Sequence, residues 1–285
     1  MIGEYAVRST GIRPSQWRLY WAQMRVIDVP VPDMPEQRAI ADYLDRETAR
    51  IDALIEEQQR LIAMLCERRQ AVIDVEISER DGTPVVQLRG LVTIPIDAGV
   101  DEAGDPSNPD HWPRFVRTTD ISNLTTLDLE KRVTISPDKA APALLERNDL
   151  VATRAGATIG KTYIHASGED ACYAGYLVRI RPDTERVEPM YLAYWSQSRH
   201  YLDQVAVGAV KSTIENYSAA KYRATRVPLP ELADQLRIAN YLDEQTSKID
   251  TLIAETERFI KLARERRSAL ITAAVTGQID VREVT

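Results

Sequence analysis

The sequence predicts an α+β protein, with one mixed α/β domain on a long antiparallel two-helix coiled-coil stalk. Two observations carry that reading. A helical sequence occurs twice without a gap, at residues 29–73 and 227–271. Between the copies lie short apolar runs separated by turn residues, a pattern of strands rather than of one long helix.

The copies read VPVPDMPEQRAIADYLDRETARIDALIEEQQRLIAMLCERRQAVI and VPLPELADQLRIANYLDEQTSKIDTLIAETERFIKLARERRSALI. Matched positions include Tyr43/Tyr241, Asp45/Asp243, Thr48/Thr246, Asp52/Asp250 and the triplets Glu67-Arg68-Arg69/Glu265-Arg266-Arg267. The similarity extends upstream, where AVRST at 6–10 echoes AVKST at 209–213. Copies this far apart are a duplicated module, not a solenoid.

Apolar residues in each copy recur at three and four residue spacing. In the first, Ile51, Ile55, Gln58, Ile62, Leu65 and Val72 form a stripe that Leu54 and Leu61 widen. In the second, Ile249, Ile253, Ile260, Ala263 and Leu270 do the same. Strong helix formers fill the other positions. The pairs Pro30/Pro32 and Pro228/Pro230 mark the helix entries and Gly277 the stop. Each helix should be about 38 residues, or roughly 57 Å at 1.5 Å per residue. A long helix with a narrow stripe suits a coiled-coil partner, though a core helix of a bundle would carry the same pattern. The charged triplets suit interhelical or subunit-facing roles, with DNA clamping as the alternative.

The intervening domain spans 80–226. The runs PVVQLRGLVTI, PRFVRTT, KRVTI, DLVATRAG, KTYIH and AGYLVRIRP read as strands, and MYLAYWSQSRHYLDQV (190–205) as one helix. Domain termini usually lie close together, so helices entering and leaving this domain should run side by side and antiparallel.

Composition excludes several classes. At 285 residues, 44% hydrophobic and 28% charged, the chain is long enough for a real core and too apolar for wholesale disorder. No stretch approaches the roughly 20 apolar residues of a membrane span, and MIGEYAVRST lacks a signal-peptide pattern. Cys66 and Cys172 cannot build a disulfide framework, which fits a reducing cytoplasm. His111, His165 and His200 lack metal-ligand spacing and any nucleophile partner. The net charge of −7 excludes a broadly basic DNA coat. Residues 80–226 are the least acidic part, with 18 Lys and Arg against 19 Asp and Glu. Weak stand-alone DNA affinity follows, because phosphate neutralisation supplies much of such binding.

These residues resemble the specificity subunit of type I restriction-modification systems, from about Val29 to the end of the chain. The repeats resemble the two conserved helical regions of that family, and RRSALITAAVTGQIDV (266–281) resembles its closing conserved segment. Residues 80–226 resemble a target recognition domain through PRFVRTTDIS (113–122), LERNDLVATRAGATIGKTYI (145–164) and GAVKSTIENYSAAKYRATRVPLP (208–230). A full subunit of that family carries two recognition domains, each followed by a conserved helix. Here one is complete, and residues 1–28 look like the last stretch of another. The resemblance therefore divides the chain into a remnant at 1–28, a helical repeat at 29–79, a recognition domain at 80–226 and a second repeat at 227–285.

Three clusters are candidates for DNA contact. RAGATIGKT (154–162) is close to a phosphate loop, but Walker A needs glycine at 155, where Ala155 stands, and a helix after Lys161, where strand-like sequence follows. It reads either as a turn with glycine at positive φ or as a DNA-facing loop using Arg154, Thr158 and Lys161. Arg117, Thr118, Thr119, Ser122 and Asn123 join a cation to small polar groups, which suits base edges and also an ordinary turn. Lys211, Ser212, Thr213, Asn216 and Tyr217 repeat that mixture, and a helix entry capped by Thr213 or Ser218 is the alternative.

No methylation motif, SAM-type glycine loop or nuclease carboxylate–lysine cluster is present in the sequence. The expected role is a non-catalytic specificity subunit without cofactor, with SAM and ATP on partner subunits. It would read one half of a bipartite double-stranded DNA target and dock methyltransferase (modification) subunits. A restriction/translocase subunit would join through the complex, and a second copy of the chain is a further candidate partner. A coiled-coil interaction protein whose β-rich domain binds no DNA is the rival, and a P-loop enzyme the third reading.

Overall fold

The computed structural model describes all residues except 1–4, 6, 11–17, 29–30, 79–81, 210–215 and 282–285. Pro30 and most of the AVKST segment therefore lie outside the described residues. In chain order the elements are α1 (Trp21–Met24), α2 (Met34–Ile77), β1 (Val85–Gln87), β2 (Arg114–Val116), α3 (Pro137–Ala140), β3 (Leu150–Thr153) and β4 (Thr162–Ile164). They continue with β5 (Ala171–Tyr173), β6 (Leu177–Ile180), α4 (Pro189–Trp195), α5 (Arg199–Gly208), α6 (Ala219–Ala224), β7 (Arg226–Pro228) and α7 (Leu232–Val275). Two compact units result, one of residues 1–59 and 257–285, the other of residues 60–256.

The repeats form α2 and α7, each 44 residues, or roughly 66 Å at 1.5 Å per residue. Both extend beyond the length expected from the sequence. Helix α2 starts where the sequence predicts, just past Pro32. Asp33 caps it, its carboxylate accepting the Glu36 amide at 2.9 Å. At the other end of the second repeat, Gly277 takes φ 70° and the Gln278 amide donates to the Ala273 carbonyl at 2.8 Å. That is a glycine-terminated helix end.

In the first unit, Tyr43, Ile51 and Ile55 of α2 are buried, as are Ile260 and Ala274 of α7. Arg267 grips Asp52 there through Nε and a terminal nitrogen, at 2.8 and 3.0 Å. In the second unit, Arg69 Nε donates to Asp250 at 2.9 Å, while Ile73 and Ile77 share a core with Ile238 and Leu242. Residue numbers thus fall along one helix as they rise along the other, so the helices are antiparallel, as the sequence predicts. Most remaining stripe positions, Gln58, Ile62, Leu65, Val72, Ile253, Ala263 and Leu270, are half-buried. Leu54 departs from the expectation, facing outward at 41% exposure.

The rest of the second unit is the mixed α/β domain. Strand β3 is the centre of an antiparallel sheet ordered β4-β3-β6, β2 pairs in parallel with β5, and β1 pairs antiparallel with β7. Two cores fill it. One joins Leu150, Ala152, Ile164 and Val178 of the sheet to Trp195 and Tyr201, and reaches Ile73, Ile77, Ile238 and Leu242 of the long helices. The other surrounds Phe115, Val116, Val151 and Cys172. Fully burying a leucine or isoleucine stabilises by about 1.5–3 kcal/mol, so the helix ends are anchored by several such terms.

Three sequence expectations are corrected. The helix expected over 190–205 is two, α4 and α5. Ser196 and Ser198 donate to the Ala193 and Trp195 carbonyls at 2.6 and 2.7 Å, and Ser198 then accepts the Tyr201 amide as a new cap. KRVTI (131–135) forms only isolated bridges through Thr134. Strands β5 and β7 were not among the expected runs. Each is three residues long and takes its pairing from a distant strand.

Candidate nucleic-acid interface

The first candidate segment follows β2. Its backbone turns at once into a 3-10 turn over Thr118–Asp120, because the fully buried Asp120 gathers donors from both sides. The Arg117 amide reaches its carboxylate at 3.0 Å, the Arg117 guanidinium at 2.8–3.2 Å and the Thr119 hydroxyl at 3.2 Å. Arg117 also donates to the Lys131 carbonyl. Thr119, Ser122 and Asn123 are exposed, and Thr118 half-buried. The Asn123 carboxamide accepts the Thr125 amide at 3.0 Å and so shapes the turn that displays them.

The second segment, 154–161, is the loop of the β3–β4 hairpin. Gly156 and Gly160 take φ 92° and 83°, which favours glycine, so the turn expected there is present. A strand, not a helix, follows Lys161, which removes the phosphate-loop reading. Thr158 is exposed at the tip. Arg154 is half-buried, donating to the Gly175 carbonyl at 3.3 Å, and Lys161 Nζ donates to the Ile121 carbonyl.

The third segment closes the domain. Lys211, Ser212 and Thr213 lie outside the described residues. Asn216 bridges to Ala155, and the Tyr217 amide donates to the Arg154 carbonyl at 2.8 Å. Tyr217 itself corrects an expectation. It is 4% exposed, with its ring edge-on to Tyr222 and its hydroxyl paired with Thr225 at 2.9 Å, so it supports the surface from beneath.

The structure therefore brings three distant stretches together. Lys161 ties the hairpin loop to 117–123, and Arg154 and Ala155 tie it to 216–217. Thr153 Oγ1, Arg154 Nε and Asn216 Oδ1 are all buried there with no hydrogen-bond partner among the described residues. Buried polar atoms are normally satisfied, so this cluster has capacity for a polar ligand or ordered water. Sequence reasoning missed Tyr176. Its side chain is 60% exposed and its carbonyl accepts the Arg154 amide at 2.9 Å. An aromatic directly after Gly175 in a strand run was the available signal.

Two groups inside the domain that could serve covalent chemistry, Cys172 and His165, are inert or engaged. Burial pushes the Cys172 thiol up to about 12, so it stays protonated near neutral pH. His165 is buried between the Tyr163 hydroxyl and the Glu169 carbonyl, and that burial holds it below the usual imidazole range. The described residues contain no cluster of three His, Cys, Asp or Glu side chains placed to hold a metal. No helix among them is long and apolar enough to cross a membrane. A cleft of about 370 Å³ is lined by Arg69, Asn123, Thr125, Tyr194, Asp243 and Asp250. Of these, Asn123 was a sequence candidate for DNA contact, and Arg69 belongs to a triplet for which DNA clamping was the alternative role.

No protein-family model matches the chain. It is 24% identical over 162 residues to the type I restriction enzyme StySPI specificity subunit of Salmonella potsdam, and 22% identical over 162 residues to the EcoKI specificity subunit of Escherichia coli K12. Each match covers 57% of this chain and 33% of the relative, so the chain matches about a third of the length of those relatives. The EcoBI specificity subunit of Escherichia coli is 32% identical over 79 residues, 28% of this chain and 17% of that protein. Among solved structures, a chain from a study of assembly and conformational transition in the type I R-M system superposes with TM-score 0.64 at 18% identity, covering 96% of this chain and 67% of that one. The HsdS subunit of Thermoanaerobacter tengcongensis superposes with TM-score 0.50 at 16% identity, covering 97% and 68%. These likenesses establish the fold.

Proposed function

We propose that this chain, a relative of type I restriction-modification specificity subunits, is a non-catalytic DNA-reading subunit. Its mixed α/β domain reads one half of a bipartite double-stranded target, and its helical repeats dock methyltransferase subunits. The observation that carries the reading is the convergence of 117–123, 154–161 and 216–217 on one surface. Thr119, Ser122, Asn123 and Thr158 are exposed there beside Arg154 and Lys161. Short polar side chains on a braced backbone suit base edges, and the cations suit phosphates. Tyr176 adds an exposed aromatic next to Arg154.

The remaining parts follow from that role. Matched positions of the two repeats expose apolar side chains, Leu54 with Leu252 and Met64 with Leu262, at 41–59%. Apolar surface repeated in this way suits two copies of one partner, here the methyltransferase subunit that would carry SAM. A restriction/translocase subunit carrying ATP would join through that complex, in the cytoplasm. The second half-site would fall to another recognition domain. Supplied by a second copy of this chain, it would make the target an interrupted palindrome.

The test exchanges residues 80–226 for the recognition domain of another specificity subunit, co-expresses the product with its methyltransferase, and maps methylation across a genome. The methylated half-site should change while the complex still assembles. An unchanged site would refute DNA reading by this domain and favour the rival, in which the domain binds only protein.

A further inference from the structure

Behind the hairpin loop lie three buried tyrosines that the DNA-contact reading does not use. Tyr201 of α5 is fully buried and donates its hydroxyl to the Gly160 carbonyl at 3.0 Å. Tyr222 of α6 is fully buried and donates to the Thr153 carbonyl at 2.8 Å. Thr153 and Gly160 are the two ends of the loop, and the Gly160 amide donates to the Thr153 carbonyl at 2.9 Å to close it. The two hydroxyls lie side by side, 3.4 Å apart, beneath the point where the loop closes. The Tyr217 ring packs edge-on against Tyr222 with centroids 4.8 Å apart, and the Tyr217 amide holds the Arg154 carbonyl. Gly160 itself sits over Val205, where an added Cβ would approach a methyl at 3.2 Å.

Nothing in strand or turn chemistry requires this arrangement. A hairpin loop with two positive-φ glycines is intrinsically loose, because glycine reaches more backbone states than any other residue. Burying a tyrosine hydroxyl without a partner is costly, so each tyrosine is committed to a backbone carbonyl of the loop. The loop is thereby fixed from two different helices at once. Its glycines permit the turn, and the packing of α5 and α6 holds it in one conformation.

We infer that Tyr201 and Tyr222 are positioning residues for DNA sequence discrimination, clamping both ends of the 154–161 loop so that Arg154 and Thr158 meet the duplex in one geometry. The inference rests on the DNA-reading function proposed above. The clamp touches no DNA. It acts on the difference between right and wrong sequences, because a loose loop still offers its cations to phosphates but no longer holds fixed donors to base edges.

The experiment uses the full chain co-purified with its methyltransferase subunit, carrying Tyr201→Phe, Tyr222→Phe or both, with Tyr191→Phe as comparison. Tyr191 loses an equally buried hydrogen bond, 2.8 Å to the Pro228 carbonyl, away from the loop. Two readouts are taken. One is backbone hydrogen exchange at residues 155–160. The other is the ratio of affinities for a duplex bearing the methylated site and a scrambled duplex, at fixed salt. The double variant should exchange about tenfold faster at those amides and lose about five- to tenfold in the ratio, the scale of one or two lost hydrogen bonds. Its scrambled-duplex affinity and salt slope should match wild type, since phosphate contacts remain. Tyr191→Phe should lower the melting temperature comparably with both readouts unchanged. Unchanged exchange in the double variant would overturn the clamp. Equal loss of ratio in Tyr191→Phe would overturn it as well, by reducing the effect to general destabilisation. Faster exchange with an intact ratio would overturn their role in discrimination, leaving two tyrosines that brace a loop outside the proposed DNA contact.

Discussion

The first turns of α2 and α7 share their sequence and differ in their surroundings. Gln37, Ile40, Ala41, Leu44, Asp45 and Thr48 recur as Gln235, Ile238, Ala239, Leu242, Asp243 and Thr246. Local structure is the same in both: each glutamine donates to a proline carbonyl at 2.8 Å, and each threonine to the leucine carbonyl one turn earlier at 2.6–2.7 Å. Burial is not. Ile238, Ala239 and Leu242 are at most 4% exposed, whereas Ile40 and Leu44 are half-buried and Ala41 is exposed. In the second unit Gln235 accepts the Glu188 amide at 2.8 Å, and Asp243 and Thr246 meet the Tyr194 hydroxyl. The helix is written into the sequence twice. What covers it is decided by the domain packed on it.

The largest expected contrast is between two leucines. Leu242→Ala should cost about 3 kcal/mol and Leu44→Ala about 1 kcal/mol, because a cavity forms only where neighbours surround the side chain. Denaturant unfolding of the full chain checks this, and equal losses would break the comparison. A smaller contrast lies at the other helix ends. Asp74 accepts the first amide of α5 from Arg199 at 2.7 Å and a Gln70 side-chain bond at 3.0 Å, whereas the matched positions in α7 are Thr272 and Ser268. Asp74→Ala should cost about 1–2 kcal/mol and Thr272→Ala less than about 0.5 kcal/mol, by the same measurement.

A third effect, found only where the domain covers the helix, is at Tyr194. Losing its hydroxyl by Tyr194→Phe should cost about 1 kcal/mol. It also sharpens the comparison through pH, since burial pushes this phenol from 10 up to about 12. A raised phenol pKa means the folded state keeps its proton while the unfolded chain has lost it. The associated stability is therefore full below pH 10 and declines as pH rises towards 12. Melting curves across that window should fall less steeply in the variant than in wild type.

The two regions also differ in how much of them was legible beforehand. The repeats were readable because helical spacing is local: Ile51, Ile55, Ile249 and Ile260 declare a buried stripe within one helix. Even the charge pairing was accessible, since Arg69 and Arg267 lie in the triplets assigned to interhelical contact. The α/β domain was readable only in outline. Strand β5 pairs in parallel with β2, which is distant in sequence, so no hairpin signal announces it. The break between α4 and α5 depends on serine hydroxyls that bond backward to carbonyls. At the site, types and positions were visible, but Tyr217 carries the same composition signal as an exposed aromatic. Its burial against Tyr222 is a tertiary fact.

The two ion pairs between the long helices have a mechanical consequence. Asp52 and Asp250 occupy one repeat position, and Arg69 and Arg267 another, so each arginine finds the aspartate of the opposite copy. The two positions are roughly 25 Å apart along each helix at 1.5 Å per residue. A slip by a single turn would break the contact within each unit, whereas a slip of seven residues would set Asp243 and Asp45 opposite the same two arginines. Within its own unit, each pair acts as a dowel that sets phase to within a heptad. All four residues lie outside 80–226, so replacing the whole intervening domain leaves the dowels in place. The residues that align the helices are thus separate from the intervening domain, which meets the helices instead at Ile73, Ile77, Ile238 and Leu242.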